Sequence, residues 1–171
     1  MSAARQVVQR ILAGRGFQDK GRVSVYAPAN IALVKYWGKR DEALNLPATG
    51  SLSISLGPLG SHVELARGAG AADAVWLNGS PLSADSSFAR RASAFLDLFR
   101  PAPDFTFALK ARNTVPTAAG FASSASGFAA LAKAADALFG WGLATRELSI
   151  LARLGSGSAA RSLEEGFVEW H

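Results

Sequence analysis

From residue 22 the chain alternates apolar and polar positions in RVSVYAP, a period-two pattern that predicts a strand. Pro28 closes it, so NIALVKYW reads as a second extended or irregular segment. Upstream, residues 3–14 set Val7, Val8, Ile11 and Leu12 at helical spacing and end in Gly14, an amphipathic lead-in helix. SLSISLG (51–57) and HVELA (62–66) alternate around Gly-Pro-Leu-Gly, which predicts a hairpin. AVWLNGSPL adds a strand with a tight Asn-Gly turn at 78 and 79. In residues 86–100, Phe88, Ala92, Phe95, Leu96 and Phe99 share one helical face, and Pro101 stops the helix. That aromatic stripe reads as core packing and needs no cofactor to explain it. FTFALKAR (105–112) alternates as a strand. SASGFAALAKAADALFG follows as a buried helix ending at Gly140, then ATRELSILARLG as another helix and GFVEW as a last strand.

Strands, helix, strand, two helices and a strand make an α+β pattern with mixed pairing. A chain of 171 residues, 49% apolar, fits one domain with a core of its own. No internal repeat breaks it, and RGAGAADA (67–74) reads as a surface loop. No apolar run is long enough for a membrane helix, and the first residues lack a signal-peptide pattern, which predicts a cytoplasmic protein with no membrane partner. Without cysteine there is no disulfide or thiolate chemistry. Two histidines, His62 and His171, are too few for a metal cluster, so any cation is expected to arrive with a ligand. The net charge of +5 predicts an anionic partner. Its basic residues are scattered rather than clustered, which argues against nucleic acid.

Three clusters carry candidate chemistry. In VPTAAGFASSAS (115–126), Gly120 lets the backbone bend, while Ser123, Ser124 and Ser126 offer hydroxyls where a helix begins. A helix N-terminus leaves backbone N–H groups unpaired and attracts anions, so the accumulation of small residues favours a phosphate loop over a simple cap. It is not a Walker A loop, because no Gly-Lys-Ser or Gly-Lys-Thr follows. In RLGSGSAARS (153–162), Gly155, Ser156, Gly157 and Ser158 could wrap an anion in backbone amides, with Arg161 as a bidentate fork. A helix-to-strand loop carrying a surface arginine explains the same residues equally well. In ANIALVKYWGKRD, Lys35, Lys39 and Arg40 surround Tyr36 and Trp37. That is either a solvated face or a wall for a small polyanion.

Together, YAPANIALVKYWGKRDEALNLPATGSLSISL, NTVPTAAGFASSASGFAALAKAA and ARLGSGSAARSLEEGFVEW resemble the diphosphomevalonate decarboxylase family of the GHMP kinase superfamily. The resemblance implies an α+β fold, the GHMP-type N-terminal domain with a mixed sheet packed against helices. Residues 1–21 would be the lead-in and 22–171 the matching region. It implies ATP with Mg²⁺ bound to it, 5-diphosphomevalonate as substrate, isopentenyl diphosphate as product and a homodimer. Carried over, Lys35 and Arg161 are the catalytic candidates, Lys35 near the reacting oxygen and Arg161 on the substrate carboxylate. Tyr36 and Lys39 match positions that hold the diphosphate, Ser156, Gly157 and Ser158 the substrate loop, and Asn45 a position near the carboxylate. Gly120, Ser123 and Ser124 would line the ATP phosphate loop.

Family members are about twice as long as this chain, and the aspartate that acts on the 3-hydroxyl proton lies in their second half, with no counterpart here. The ferredoxin-like C-terminal half has no counterpart either, so the resemblance predicts a truncated chain that does not decarboxylate alone. Alternatives are a non-catalytic half-domain that binds a phosphate ligand or a partner, and a relative that acts on the monophosphate or only phosphorylates mevalonate. Ala160 stands where relatives often carry cysteine. Glu164 and Glu165 replace an aromatic residue and a glycine, setting two negative charges near Arg161 in sequence.

Overall fold

The computed structural model of the chain describes residues 1–115 and 123–171, with side chains from Ser124 onward in the second segment. Helix α1 (Ala3–Leu12) is capped by the Ser2 hydroxyl, which accepts from the Arg5 amide. Strands follow as β1 (Arg22–Val34), β2 (Lys39–Asp41), β3 (Leu46–Pro47), β4 (Ser51–Arg67), β5 (Ala74–Leu77) and β6 (Ser80–Pro81). Then come α2 (Ser87–Leu96), β7 (Phe107–Asn113), α3 (Ser123–Phe139), α4 (Thr145–Gly155), a 3₁₀ helix at Gly157–Arg161 and β8 (Phe167–Trp170). Among the described residues no helix is long and apolar enough to cross a membrane.

The sheet runs β1-β4-β7-β5-β6, with β8 paired to the first part of β4 and a separate β2-β3 ladder. Pairing is antiparallel except between β5 and β7, which gives the mixed α+β sheet expected from the element order. One face carries Ala27, Val63, Leu65, Phe107 and Leu109 against Phe95, Phe128, Leu131, Leu138 and Phe139 of the helices. The aromatic stripe of residues 86–100 packs in the core, partly beyond the end of α2: Phe95 stacks edge-on to both Phe99 and Phe128, each at 5.1 Å between ring centroids. Asn78 and Gly79, at φ 51° and 86°, form the β5-β6 turn in the left-handed conformations that a two-residue hairpin turn requires.

Two expectations from the pattern are corrected. Pro28 does not end a strand: β1 continues to Val34, and the proline sits next to a shift in pairing register on an edge strand, where a missing N–H is tolerated. Segments 51–57 and 62–66 do not form a hairpin with each other. Both belong to β4 and pair in succession with β1, Gly60 opposite Pro28 and Ser55 opposite Asn30. The residues between, 56–59, bulge out of the ladder. The bulge is held by Tyr26, whose hydroxyl donates to the Gly57 carbonyl at 2.5 Å. Gly60 is obligatory at its exit, because a Cβ there would overlap the Ala27 carbonyl oxygen. Beyond the bulge the first limb of β4 pairs with β8, and Ser51 of the candidate site lies on that limb.

Candidate active site

Arg161 ends the 3₁₀ helix and is 3% exposed, which excludes the surface-arginine reading of its loop. Its Nη1 donates to the Ser51 hydroxyl at the start of β4, and its guanidinium lies over the Trp170 ring, 5.7 Å from the centroid. Its Nε is buried with no hydrogen-bond partner, and no carboxylate of the described residues pairs with it. Burial pushes this guanidinium below its ordinary range, and the nearby Tyr36 opposes the shift. A buried cation without an anion is costly unless a ligand supplies one.

The loop before Arg161 is built to approach something closely. At Gly157 a Cβ would stand 2.8 Å from the Tyr36 hydroxyl and 3.5 Å from Trp170, so only glycine leaves Tyr36 where it is. Tyr36 meets Trp170 edge-on at 5.1 Å. Ser156 and Ser158 hydroxyls lie 3.2 Å apart and hydrogen-bond each other. Below them Asn30, 3% exposed on β1, donates through Nδ2 to the Ser158 carbonyl at 3.2 Å and the Ser162 hydroxyl at 2.6 Å. Tyr36, Gly157 and Arg161, from sequence segments far apart, thus converge on Trp170.

Other expected site residues surround this centre less tightly. Lys35 and Trp37 are exposed, Trp37 at 76%. Lys39 points its ammonium at Glu42, 3.0 Å away, in an exposed pair. Asn45, at φ 51°, donates to the Arg153 and Leu154 carbonyls at 3.0 and 3.3 Å, fastening the β2-β3 turn to the end of α4. Glu164 and Glu165 are exposed and neither pairs with Arg161, so the two added charges leave the buried guanidinium uncompensated. Ala160 is 5% exposed, a small side chain accommodated in the core of the loop.

Gly120 and the side chain of Ser123 lie outside the described residues. Ser124 is exposed in the first turn of α3 and lines a cavity of about 140 Å³ with Ser61, Asn113, Gly127 and Phe128. Ser61 donates to Asn113 Oδ1 at 2.8 Å and shares a 2.8 Å hydrogen bond with Ser126. With both of those hydroxyl protons spent inside the protein and Val63, Leu77, Phe88 and Leu109 lining the same cavity, what suits an anionic phosphate here is the exposed Ser124 hydroxyl and the positive end of the 17-residue helix.

Sequence reasoning missed Asn30, Ser51, Ser162 and Trp170. Asn30 had a signal, an amide inside the apolar run ANIALV, since a polar group on a buried strand must find partners. Ser51 and Trp170 had none, because their role exists only once β8 pairs with β4, with Ser51 opposite Trp170.

The profile of the diphosphomevalonate decarboxylase-like N-terminal domain matches residues 27–171. This chain belongs to that family. It is 42% identical over 165 residues to diphosphomevalonate decarboxylase of Saccharomyces cerevisiae, covering 86% of this chain and 41% of the yeast protein. The zebrafish (Danio rerio) enzyme is 41% identical over 170 residues, covering 90% of this chain and 41% of its own length. Among solved structures, mevalonate diphosphate decarboxylase from Staphylococcus aureus superposes with a TM-score of 0.82 at 40% identity, covering 88% of this chain and 46% of that one. A relative determined in complex with MVAPP, AMPPCP and magnesium gives a TM-score of 0.77 at 39% identity, over 88% of this chain and 46% of that one. The chain therefore spans less than half the length of the relatives it matches, and its mixed sheet with helices is the fold of their N-terminal domain.

Proposed function

We propose that this chain holds the substrate, and the phosphates of ATP, in an enzyme that decarboxylates 5-diphosphomevalonate to isopentenyl diphosphate. The observation that carries the reading is Arg161, a buried guanidinium with an unpartnered Nε and no anion beside it. The substrate carboxylate supplies that anion. Arg161 keeps the carboxylate ionised, the only form that can release an electron pair as the bond to CO₂ breaks, and fixes its direction through two-point hydrogen bonding. Ser51 and Trp170 hold the guanidinium in place. The Ser156–Ser158 loop and Tyr36 receive the substrate beside it, with Lys39 for the diphosphate once it leaves Glu42. Asn45 sets the turn that presents Lys39, and the exposed Lys35 is the residue assigned to the reacting oxygen by the family resemblance.

The chemistry ATP supplies when bound is a phosphoryl group for the tertiary 3-hydroxyl, which makes that oxygen a leaving group. Gly120, Ser123 and Ser124 are the residues that would hold its phosphates at the start of α3, with Mg²⁺ bound to those phosphates. The reading brings with it a homodimer, which rests on the family resemblance, and a cytoplasmic location without nucleic-acid or membrane partners, which rests on the sequence pattern.

Calorimetric titration of the 171-residue chain with 5-diphosphomevalonate tests it. Saturable binding is expected, weakened about tenfold or more by Arg161→Gln, since a hydrogen bond to a charged group contributes roughly 1.5–3 kcal/mol. Binding that is absent, or indifferent to Arg161→Gln, overturns the assignment.

A further inference from the structure

Two buried side-chain nitrogens among the described residues have no hydrogen-bond partner: Nε of Arg161 and Nε of Arg153. The first belongs to the site above. The second lines a separate groove of about 240 Å³, walled by Arg146, Ser149, Ile150 and Arg153 along one face of α4 and by Ala160, Trp170 and His171. No Asp or Glu side chain lines this groove, and among the described residues neither Arg146 nor Arg153 forms an ion pair. A cation in the last turn of a helix is favoured by the carbonyl end of the dipole. Here those carbonyls are already taken. Asn45 donates to the oxygens of Arg153 and Leu154, and the Ser156 amide to that of Ala152, so the Arg153 guanidinium finds no acceptor of its own.

We propose that this groove is a second anion site, taking a phosphate group and distinct from the carboxylate site at Arg161. Two guanidiniums with no Asp or Glu side chain beside them attract an anion, and a phosphate offers oxygens enough for both forks. The Arg153 charge is under-compensated. Burial and the neighbouring Arg40 disfavour the Arg153 cation, and only Asp41, beyond ion-pair distance, opposes them. Trp170 is common to both sites: its ring faces the Arg161 guanidinium and also walls the groove. A phosphate group held in the groove lies next to the substrate site without occupying it.

The test is a calorimetric titration of the 171-residue chain with inorganic phosphate at low ionic strength. Saturable binding is expected, weakened about tenfold by Arg146→Gln and by Arg153→Gln and unchanged by Arg161→Gln. Should Arg153→Gln fail to fold, Arg146→Gln, at an exposed position, carries the test alone. No saturable binding by the native chain, affinity unchanged in Arg146→Gln, or loss in Arg161→Gln each overturns the proposal. A parallel titration with glycerol phosphate separates the sources: tighter binding than inorganic phosphate identifies an esterified phosphate as the ligand, and equal binding the free ion. Because Arg161→Gln weakens 5-diphosphomevalonate and Arg146→Gln weakens phosphate, the failure of either reading is seen apart from the other.

Discussion

The Ser51 hydroxyl accepts a hydrogen bond from Nη1 of Arg161, joining the first residue of β4 to a guanidinium 110 positions later. It is the polar contact that aims the buried arginine, whose other support is the face of Trp170. Ser51→Ala leaves that cation with fewer partners in a buried setting. Affinity for 5-diphosphomevalonate is expected to fall about tenfold, from roughly 1.5 kcal/mol for a hydrogen bond to a charged group. Unchanged affinity would mean that Trp170 alone orients Arg161.

Asn30 sits beneath the substrate loop and ties β1 to both Ser158 and Ser162. Asn30→Ala removes both bonds and leaves a buried carbonyl and hydroxyl to find new partners, which costs about 1–3 kcal/mol. Urea unfolding should show that loss in the midpoint with an unchanged slope, and ligand affinity should fall with it as the 156–158 loop loosens. Asn30→Asp, isosteric but without the amide donors, should be at least as damaging.

The glycines flanking Ser156 are expected to respond to alanine differently. At Gly155 a Cβ would overlap the ring of Phe128, which is packed against Phe95 and cannot withdraw. Gly155→Ala should cost about 1–3 kcal/mol of stability, as overpacking does. At Gly157 the nearest atom is the Tyr36 hydroxyl, the end of a half-buried side chain that can move. Gly157→Ala should therefore spare the melting midpoint and weaken binding of the diphosphate ligand. Equal stability losses in the two variants would show that Tyr36 is as fixed as Phe128.

Helices, strand β7 and the Asn-Gly turn were legible because each is written locally, in a 3.6-residue or two-residue period with its own stop signal. The β4 segment was not, since Gly-Pro-Leu-Gly is equally a hairpin turn and a bulge. Only the partner strand decides, and β1 offers both limbs an apolar ladder. Arg161, Tyr36 and Gly157 stood out in sequence as charge, aromatic group and loop glycine, yet what unites them is Trp170, a residue whose pattern reads only as strand. The burial of Arg161 is likewise a product of long-range pairing, because β8 must lie on β4 before Ser51 and Trp170 can enclose it.

Away from the site, Arg100 clamps the 67–74 loop to the core. It donates to both carboxylate oxygens of Asp73, at 3.1 and 2.9 Å, to Asp97 and to the Phe105 carbonyl, while the Phe107 amide donates to Asp73 at 2.9 Å. Burial pushes the Asp73 carboxyl up, but the hydrogen bonds from Arg100, the Phe107 amide and Ser93 outweigh it and leave the group below its ordinary value. A carboxylate depressed in the folded state stabilises fully above its unfolded value, near 4, and loses that contribution as the pH falls through the lower folded value. Asp73→Asn should thus cost about 3 kcal/mol at pH 7, as breaking a largely buried pair does. Urea unfolding at pH 7, 5 and 3.5 checks the sign: the gap between native chain and variant should hold from pH 7 to 5 and narrow below about pH 4. A gap that stayed constant into acid would assign the loss to the missing geometry of the clamp and remove the charge of Asp73 from its stability.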